Sequence, residues 1–356
     1  MAMRDVSTDD IPVGTGTSLR VGEWTDATAW DAFVDAADDG TIAHRWIWRD
    51  VVANAYRLRP SMVAAVSEGE IRGVLPLVSL RSRLFGRHVV SMPFLDVGGL
   101  CTNGDDEAGA ALLAAAMELA EGQGAHLELR HTTDRLLGLP RSLEKVTMRL
   151  PLGTDEEALF ASLPSNRRGQ IRKGRRAGLE ATFHGPEAVG DFFDVLAENM
   201  RDLGSPTHGR RYFEALIAGL GTRAEIVLVR DEETVLGAGI VLYDRELVMV
   251  PWSSSLRHAF KLAPNQVLYW EVMRRGIERG ASIFDFGRSS IGSGTYVAKG
   301  EWGAKPVQLY WDYFPEGDGP PGEEISNKSW AVDLWRHLPL PVAGIIGPRI
   351  RKGIPN

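Results

Sequence analysis

Apolar residues recur at helical spacing over residues 24–37 and 46–56, which predicts two amphipathic helices. Two aliphatic runs, 62–66 and 71–80, flank a Glu68-Gly69-Glu70 turn and predict a hairpin. Residues 89–100 carry Pro93, Gly98 and Gly99, so they are expected to be a strand that runs into a loop. Residues 105–123 form an alanine-rich pattern with acids in the first turn, where a helix dipole favours them. A strand at 126–130 follows, and the first unit is expected to close near Leu150.

The order then repeats. Helices are predicted over 155–163, 165–177, 186–202 and 210–220, with a strand near Thr182. Residues 223–230, 235–243 and 246–252 read as a meander with turns at Asp231-Glu232-Glu233 and Asp244-Arg245. Pro264 opens a helix to Arg279, since proline's missing N–H costs nothing in a first turn. A short strand, 282–286, leads into a glycine and serine loop ending at Gly294, and 307–314 is the last strand. The pattern is that of an α/β (α+β) chain with two tandem domains, residues 19–150 and 151–315. Each is expected to be a mixed, mostly antiparallel sheet flanked by helices. The halves share this order without a residue-level repeat.

Residues 1–18 are polar and acidic and are expected to be a disordered tail. Residues 316–356 join a Pro- and Gly-rich linker to an amphipathic tail with Trp335, Leu338, Ile345 and Ile346 beside Arg336, Arg349, Arg351 and Lys352. Such a tail either packs back on the protein or makes peripheral contact with an anionic membrane.

Composition narrows the classes. With 356 residues, 44% hydrophobic and 24% charged, the chain suits two ordinary domains and excludes wholesale disorder. A net charge of -7 argues against a surface that is one nucleic-acid footprint, while leaving room for a basic patch. Cys101 is the only cysteine, so no intrachain disulfide or cysteine metal cluster is expected. With neither a secretory signal pattern nor an apolar run of about 20 residues, the expected location is cytoplasmic, with peripheral contact at the inner face of the membrane. The eight histidines are scattered and give no metal-ligand spacing, and most are expected at surfaces or caps rather than as ligands, so no metal is expected.

Three segments carry candidate chemistry. Arg167, Arg168, Arg172, Lys173, Arg175 and Arg176 are six cations within ten residues, and Arg168, Arg172 and Arg175 share one helical face. That face either binds phosphates of a nucleotide sugar, a coenzyme diphosphate or an RNA, or is simply solvated. The run Val250-Pro251-Trp252-Ser253-Ser254-Ser255, with Pro264-Asn265-Gln266 at a helix start, offers hydroxyls and free N–H groups to an anion or acyl carbonyl, or only caps the helix. The Arg-x-x-Gly-x-Gly/Ala loop that acetyl-CoA-dependent enzymes place before this helix is missing. Third, Asp285-Phe286-Gly287-Arg288-Ser289 sits at a strand end, followed by a glycine loop and by Tyr296 and Lys299 three apart. A lysine there can neutralise an oxyanion or phosphate. No kinase glycine loop, His-Arg-Asp or Ala-Pro-Glu accompanies Asp-Phe-Gly, which excludes a kinase.

As an ordered set these segments resemble the Fem-type branch of the GNAT superfamily, most of all the FemAB-related proteins associated with exopolysaccharide and PEP-CTERM systems. The resemblance runs from Gly73-Val74-Leu75-Pro76-Leu77 and Ser91-Met92-Pro93-Phe94 through Asn166-Arg167-Arg168, Arg172-Lys173, Asn199-Met200-Arg201-Asp202, Pro251-Trp252-Ser253-Ser254 and Pro264-Asn265. It continues through Asp285-Phe286-Gly287-Arg288-Ser289, Gly294-Thr295-Tyr296 and Lys299 to Leu338-Pro339 and Gly347-Pro348. It implies two tandem GNAT-like domains and transfer of an acyl or aminoacyl group to an amine. Better-known relatives take the aminoacyl group from a charged tRNA and attach it to a peptidoglycan precursor, with no strict acidic general base. Ala298 departs from the pattern, which usually has an aromatic residue there.

The resemblance and the residues together predict a transferase acting on an amine of a cell-envelope, peptidoglycan or exopolysaccharide intermediate. Lys299 is expected to stabilise an oxyanion or phosphate, and Tyr296 and Asp285 to position groups or move protons. Arg288, Ser289, Trp252, Ser253, Ser254 and Asn265 are expected to contact substrate, and Arg168 and Arg172 a phosphate-bearing partner. No tightly bound cofactor is expected, and the donor is either charged tRNA or an acyl-CoA. The alternatives are an acetyl-CoA-dependent N-acetyltransferase and a non-catalytic module of an envelope-polymer assembly complex.

Overall fold

The computed structural model describes residues 19–315 and 329–355. The predicted tail 1–18 and the linker at 316–328 lie outside the described residues. Two units make up the chain, one of residues 19–143, 309–315 and 352–355 and one of 144–308 and 329–351.

The first unit is built on seven strands: β1 (Arg20–Glu23), β2 (Ser61–Ser67), β3 (Glu70–Ser82), β4 (Gly86–Ser91), β5 (His126–His131), β6 (Arg141–Ser142) and, from late in the chain, β14 (Tyr310–Phe314). Their order is β1-β2-β3-β4-β5-β14-β6. All neighbours are antiparallel except β4 and β5, which run parallel on either side of helix α3 (Asp106–Gln123) in sequence. The apolar run in β2 is unbroken because both faces are covered. Met62, Ala64 and Val66 meet Trp30 and Val34 of α1 (Ala27–Ala36), while Val63 and Ala65 meet Leu112 and Ala116 of α3. Helix α1 starts at Ala27 rather than Trp24 because the Asp26 carboxylate caps the N–H groups of Thr28 and Ala29. Helix α2 (Ile47–Tyr56) follows the predicted span closely.

Strand β4 ends at Ser91, earlier than residues 89–100 suggested, because Met92 and Phe94 adopt positive φ and turn the chain aside. Its last parallel pair is Val90 with Glu128. Beyond it the chain returns beside β5. The Gly99 N–H donates to the Arg130 carbonyl at 2.8 Å, and the Arg130 N–H donates to Ser91 Oγ at 2.9 Å. A Cβ on Gly99 would lie 2.7 Å from that carbonyl, so the approach requires glycine. The buried Arg130 guanidinium pairs with Glu128, lies 4.3 Å from the Trp311 ring centroid and donates to the Pro355 carbonyl at 2.7 Å.

The second unit repeats the scheme with β7 (Lys145–Pro151), β8 (Glu180–His184), β9 (Ala224–Asp231), β10 (Thr234–Asp244), β11 (Leu247–Ser255), β12 (Ile283–Ser290) and β13 (Lys305–Gln308), in the order β13-β7-β12-β11-β10-β9-β8. Again one pair is parallel, β11 and β12, joined through α8 (Pro264–Glu278). Helices α4 (Glu156–Ser162), α5 (Ser165–Arg176) and α8 share one core with Val227, Val248 and Phe284 of the sheet. Helices α6 (Val189–Leu203) and α7 (Arg210–Leu220) cover the other face. The strand predicted over 307–314 is two strands, β13 and β14, in different sheets. Residues 145–151, expected to close the first unit, form β7 of the second sheet.

The tail forms α10 (Ser329–Arg336) and α11 (Leu340–Arg351), which pack against α6 and the segment after it. Gly347 lies against the Thr207 backbone and the Trp335 ring, while Leu334, Val342, Ile345 and Ile346 stay exposed.

Four of the eight histidines, most of which are expected at surfaces or caps, are buried instead: His44, His88, His131 and His208. Backbone distant in sequence pairs with His44 and His131, as in the Leu100 N–H donating to His131 Nε2 at 2.9 Å, the nearby Phe85 carbonyl pairs with His88, and the Tyr212 ring stacks 4.2 Å from His208. Burial holds all four below the usual histidine range, and His44 is pushed down to about 4. The unfolded chain takes up protons near pH 6.5 where the folded protein does not, so stability rises with pH through this window. The urea midpoint is expected to fall steadily from pH 7 to pH 5, with His44 alone contributing about 1.4 kcal/mol per pH unit. A midpoint that holds constant would show these histidines to be solvated.

Candidate active site

Strands β11 and β12 pair only from Leu247–Met249 to Ile283–Asp285. Beyond that point β11 stays with β10 as far as Ser255, and β12 stays with β7 as far as Ser290. The two parallel strands therefore diverge and leave their facing edges without a ladder. On the α8 face of this opening, Ser253 Oγ lies 3.0 Å from the Tyr269 hydroxyl. The Tyr269 ring packs edge-on against Phe286 and Trp302, at 5.3 and 5.8 Å between centroids. Burial raises the Tyr269 pKa, and the Ser253 contact opposes that shift.

What bends β12 is a bulge. Between Asp285 and Arg288 its register against β7 slips, and Gly287 takes φ 76°. The Asp285 carboxylate is 6% exposed and fully engaged. It accepts from the Gly287 N–H at 2.7 Å, from the Thr147 hydroxyl and from Arg149 Nε at 3.0 Å. Residues 294–300, for which no element was predicted, form helix α9 (Gly294–Gly300), capped by Ser293 Oγ on the Tyr296 N–H at 3.3 Å. This helix brings Lys299 Nζ to the carbonyls of Gly287 and Arg288, at 3.0 and 2.7 Å. Tyr296, three residues earlier, packs against the α8-face core. Asp285 and Lys299 thus hold the same bulge.

The predicted substrate contacts do not share one side. Side chains alternate along a strand. Ser253 and Ser255 therefore face α8, where Ser255 Oγ donates to Asn265 Oδ1 at 2.6 Å. Trp252 and Ser254 face the opposite helices: Ser254 Oγ accepts from Asn199 Nδ2 at 3.1 Å, and the Trp252 ring lies 5.6 Å from Phe213. Arg288 is registered with Thr147, on the Asp285 side, and Ser289 with Val146 of the α8-face core.

The basic helix α5 runs close along the start of α8. A Cβ on Gly174 would lie 2.5 Å from the Val267 side chain and 3.1 Å from the Leu262 carbonyl. Two of its cations are committed, Arg167 to Glu301 and Arg175 to Glu271. Burial lowers the Arg167 pKa. Arg168 and Arg172 make no ion pair among the described residues, and Arg172 lies over the Phe160 ring at 5.2 Å.

Thr147, Arg149 and Tyr269 were not singled out from the sequence. Tyr269 carried a signal, standing one helical turn after Asn265. Thr147 and Arg149 carried none, because only strand register brings them to Asp285. Replacing Asp285 with Asn removes the charge that holds Arg149 and is expected to lower unfolding free energy by about 2 kcal/mol. The measurement is a urea melt. A variant as stable as wild type yet inactive would make Asp285 a chemical participant rather than the anchor of the bulge.

Comparison with known proteins adds a matched domain and a shared fold. Residues 165–299 match the model of the acetyltransferase (GNAT) domain. No curated protein sequence matches the chain. Among solved structures it is similar to FemX, at 15% identity over 82% of this chain and 96% of that one, with a TM-score of 0.65. It is also similar to the C-terminal domain of a putative lysylphosphatidylglycerol synthetase from Agrobacterium fabrum (15% identity, 80% and 93% of the two chains, TM-score 0.54). A third is a tandem GNAT protein from the clavulanic acid biosynthesis pathway (15%, 85% and 100%, TM-score 0.50). The strand opening, the clamped bulge and the matched GNAT domain thus lie in one unit of a chain whose fold is that of tandem GNAT proteins and of FemX.

Proposed function

We propose that the protein transfers an acyl or aminoacyl group to an amine of a cell-envelope, peptidoglycan or exopolysaccharide intermediate. The observation that carries this is the Lys299 ammonium, held by two backbone carbonyls at the bulge where β12 leaves β11. When an amine attacks an acyl carbonyl, negative charge grows on the carbonyl oxygen, and a fixed cation stabilises it. Asp285 acts through the bulge as a positioning group, Tyr296 orients α9, and Arg288, Ser253 and Asn265 are assigned to substrate contact. Trp252 and Ser254 support β11 from behind.

The donor is a charged tRNA or an acyl-CoA, with no cofactor held tightly. Two observations favour the tRNA. The segment before α8 is a 3-10 helix, Arg257–Leu262, in place of a glycine-rich pyrophosphate loop. Arg168 and Arg172 offer guanidinium groups to phosphates instead. The fold likeness to a protein named for lysylphosphatidylglycerol synthesis also supports an aminoacyl group. Purified protein incubated with a labelled aminoacyl-tRNA pool or labelled acetyl-CoA, and a glycan-precursor extract, is expected to label the extract. Lys299→Ala should cut kcat about 100-fold or more in protein that is still folded, although the urea midpoint falls because the Gly287 and Arg288 carbonyls lose their donor. Full activity in that variant would remove Lys299 from the mechanism.

The same proposal includes peripheral contact at the inner face of the cytoplasmic membrane. No helix among the described residues is long and apolar enough to cross a membrane. Val342, Ile345 and Ile346 stand exposed at i, i+3 and i+4 of α11, with Arg349 one turn on and no acidic residue in the helix. The protein should sediment with vesicles rich in phosphatidylglycerol but not with phosphatidylcholine vesicles, and an Ile345→Asp/Ile346→Asp variant should lose about tenfold or more of that binding. Equal sedimentation of the variant would place the contact elsewhere.

A further inference from the structure

The two parallel strand pairs face the same difficulty and meet it differently. In the first unit the edge of β5 beyond Val90–Glu128 is occupied by the chain itself: Gly99 bonds the Arg130 carbonyl, and Ser91 Oγ takes the Arg130 N–H. In the second unit the serines around the opening are Ser253, Ser254, Ser255, Ser289 and Ser290. Ser253 is paired with Tyr269, Ser254 with Asn199, Ser255 with Asn265, and Ser290 accepts from Lys145 Nζ at 2.9 Å.

Ser289 is the exception. It is 4% exposed, and its Oγ has no hydrogen-bond partner among the described residues. A hydroxyl buried without a partner is destabilising and is rare in folded proteins. Its register opposite Val146 puts it on the α8 face, the same face as Ser253 and Tyr269 on the other wall of the opening. It directly follows Gly287 and Arg288, whose carbonyls hold Lys299.

We propose that Ser289 Oγ donates a hydrogen bond to the carbonyl oxygen of the transferred group, seated between β11 and β12 on the α8 face. This rests on the transferase function proposed above. The amine nitrogen forms a bond to the carbonyl carbon, and the carbonyl oxygen takes up the negative charge under the Ser289 hydroxyl, which keeps its proton. As the C=O bond reforms, the C–O ester bond of a charged tRNA or the C–S bond of a thioester breaks. The amine releases one proton, and the leaving hydroxyl or thiol takes one up. The shared ligand chemistry is an activated acyl carbonyl.

The test compares Ser289→Ala with Ser253→Ala, reading thermal melting without donor and single-turnover transfer from an aminoacyl-tRNA pool and from acetyl-CoA. Ser289→Ala deletes an unpaired hydroxyl, so it should melt at or above the wild-type temperature while transfer falls about tenfold or more. Ser253→Ala breaks a formed hydrogen bond and should melt lower. The donor whose transfer falls identifies the source of the carbonyl. A Ser289→Ala variant that melts lower has lost a structural bond, and one that transfers at the wild-type rate has lost nothing used in the reaction. Either result overturns the assignment while leaving the transferase function standing. Wild-type protein that transfers from neither donor overturns that function, and the Ser289 role with it.

Discussion

Asp285 and Lys299 grip one stretch of backbone through its two kinds of polar group. The carboxylate takes the Gly287 N–H, and the ammonium donates to the carbonyls of Gly287 and Arg288. A bulge frees backbone groups from the ladder, and buried groups left unpaired are costly. Here both kinds are satisfied by charges, so the extra residue has no reason to slip back into register. Arg149 and Thr147 in turn hold the carboxylate from β7. The divergence of β12 from β11 follows from that arrangement, and so do the positions of Ser289 and α9.

The fold contains the divergence twice. Both units run through a meander, a long helix and a parallel strand, and both parallel pairs stop after three residue pairs. In the first unit glycine at position 99 lets the backbone come within hydrogen-bonding distance of β5, and the Arg130 side chain occupies the buried space beyond. The corresponding stretch of the second unit runs through a 3-10 helix into α8. The corresponding strand edge is thus hydrogen-bonded by the chain itself in the first unit and left without a ladder in the second.

Much of this was legible in the residues, because strands covered on both faces and helices with caps announce themselves locally. The alternation rule already separates Ser253 from Trp252 and Ser254, although a run of hydroxyls invites treating them as one surface. Helix α9 is harder to see. Its sequence, GTYVAKG, begins and ends with glycine, a poor helix former, and only the Ser293 cap speaks for it. The partners of Asp285 have no local signature at all: Arg149 lies 136 positions away and arrives through register. His44 and His131 are hidden for the same reason, since the backbone of Gly99 and Leu100 that pairs with them is distant in sequence.

Counting charges overstated α5. Two of its six cations are neutralised by Glu301 and Glu271, which leaves Arg168, Arg172, Lys173 and Arg176 as the basic face. Gly174 and Ile171, on the buried side of α5, seat the helix against the start of α8, while Arg172, Lys173 and Arg176 stay exposed. The α5 helix, the start of α8, Ser253 and Ser289 all belong to one side of the second sheet, whereas Asp285 and Arg288 belong to the other. The Asp285 carboxylate lies on the far side, where Thr147, Arg149 and the Gly287 N–H occupy it and tie the bulge to β7.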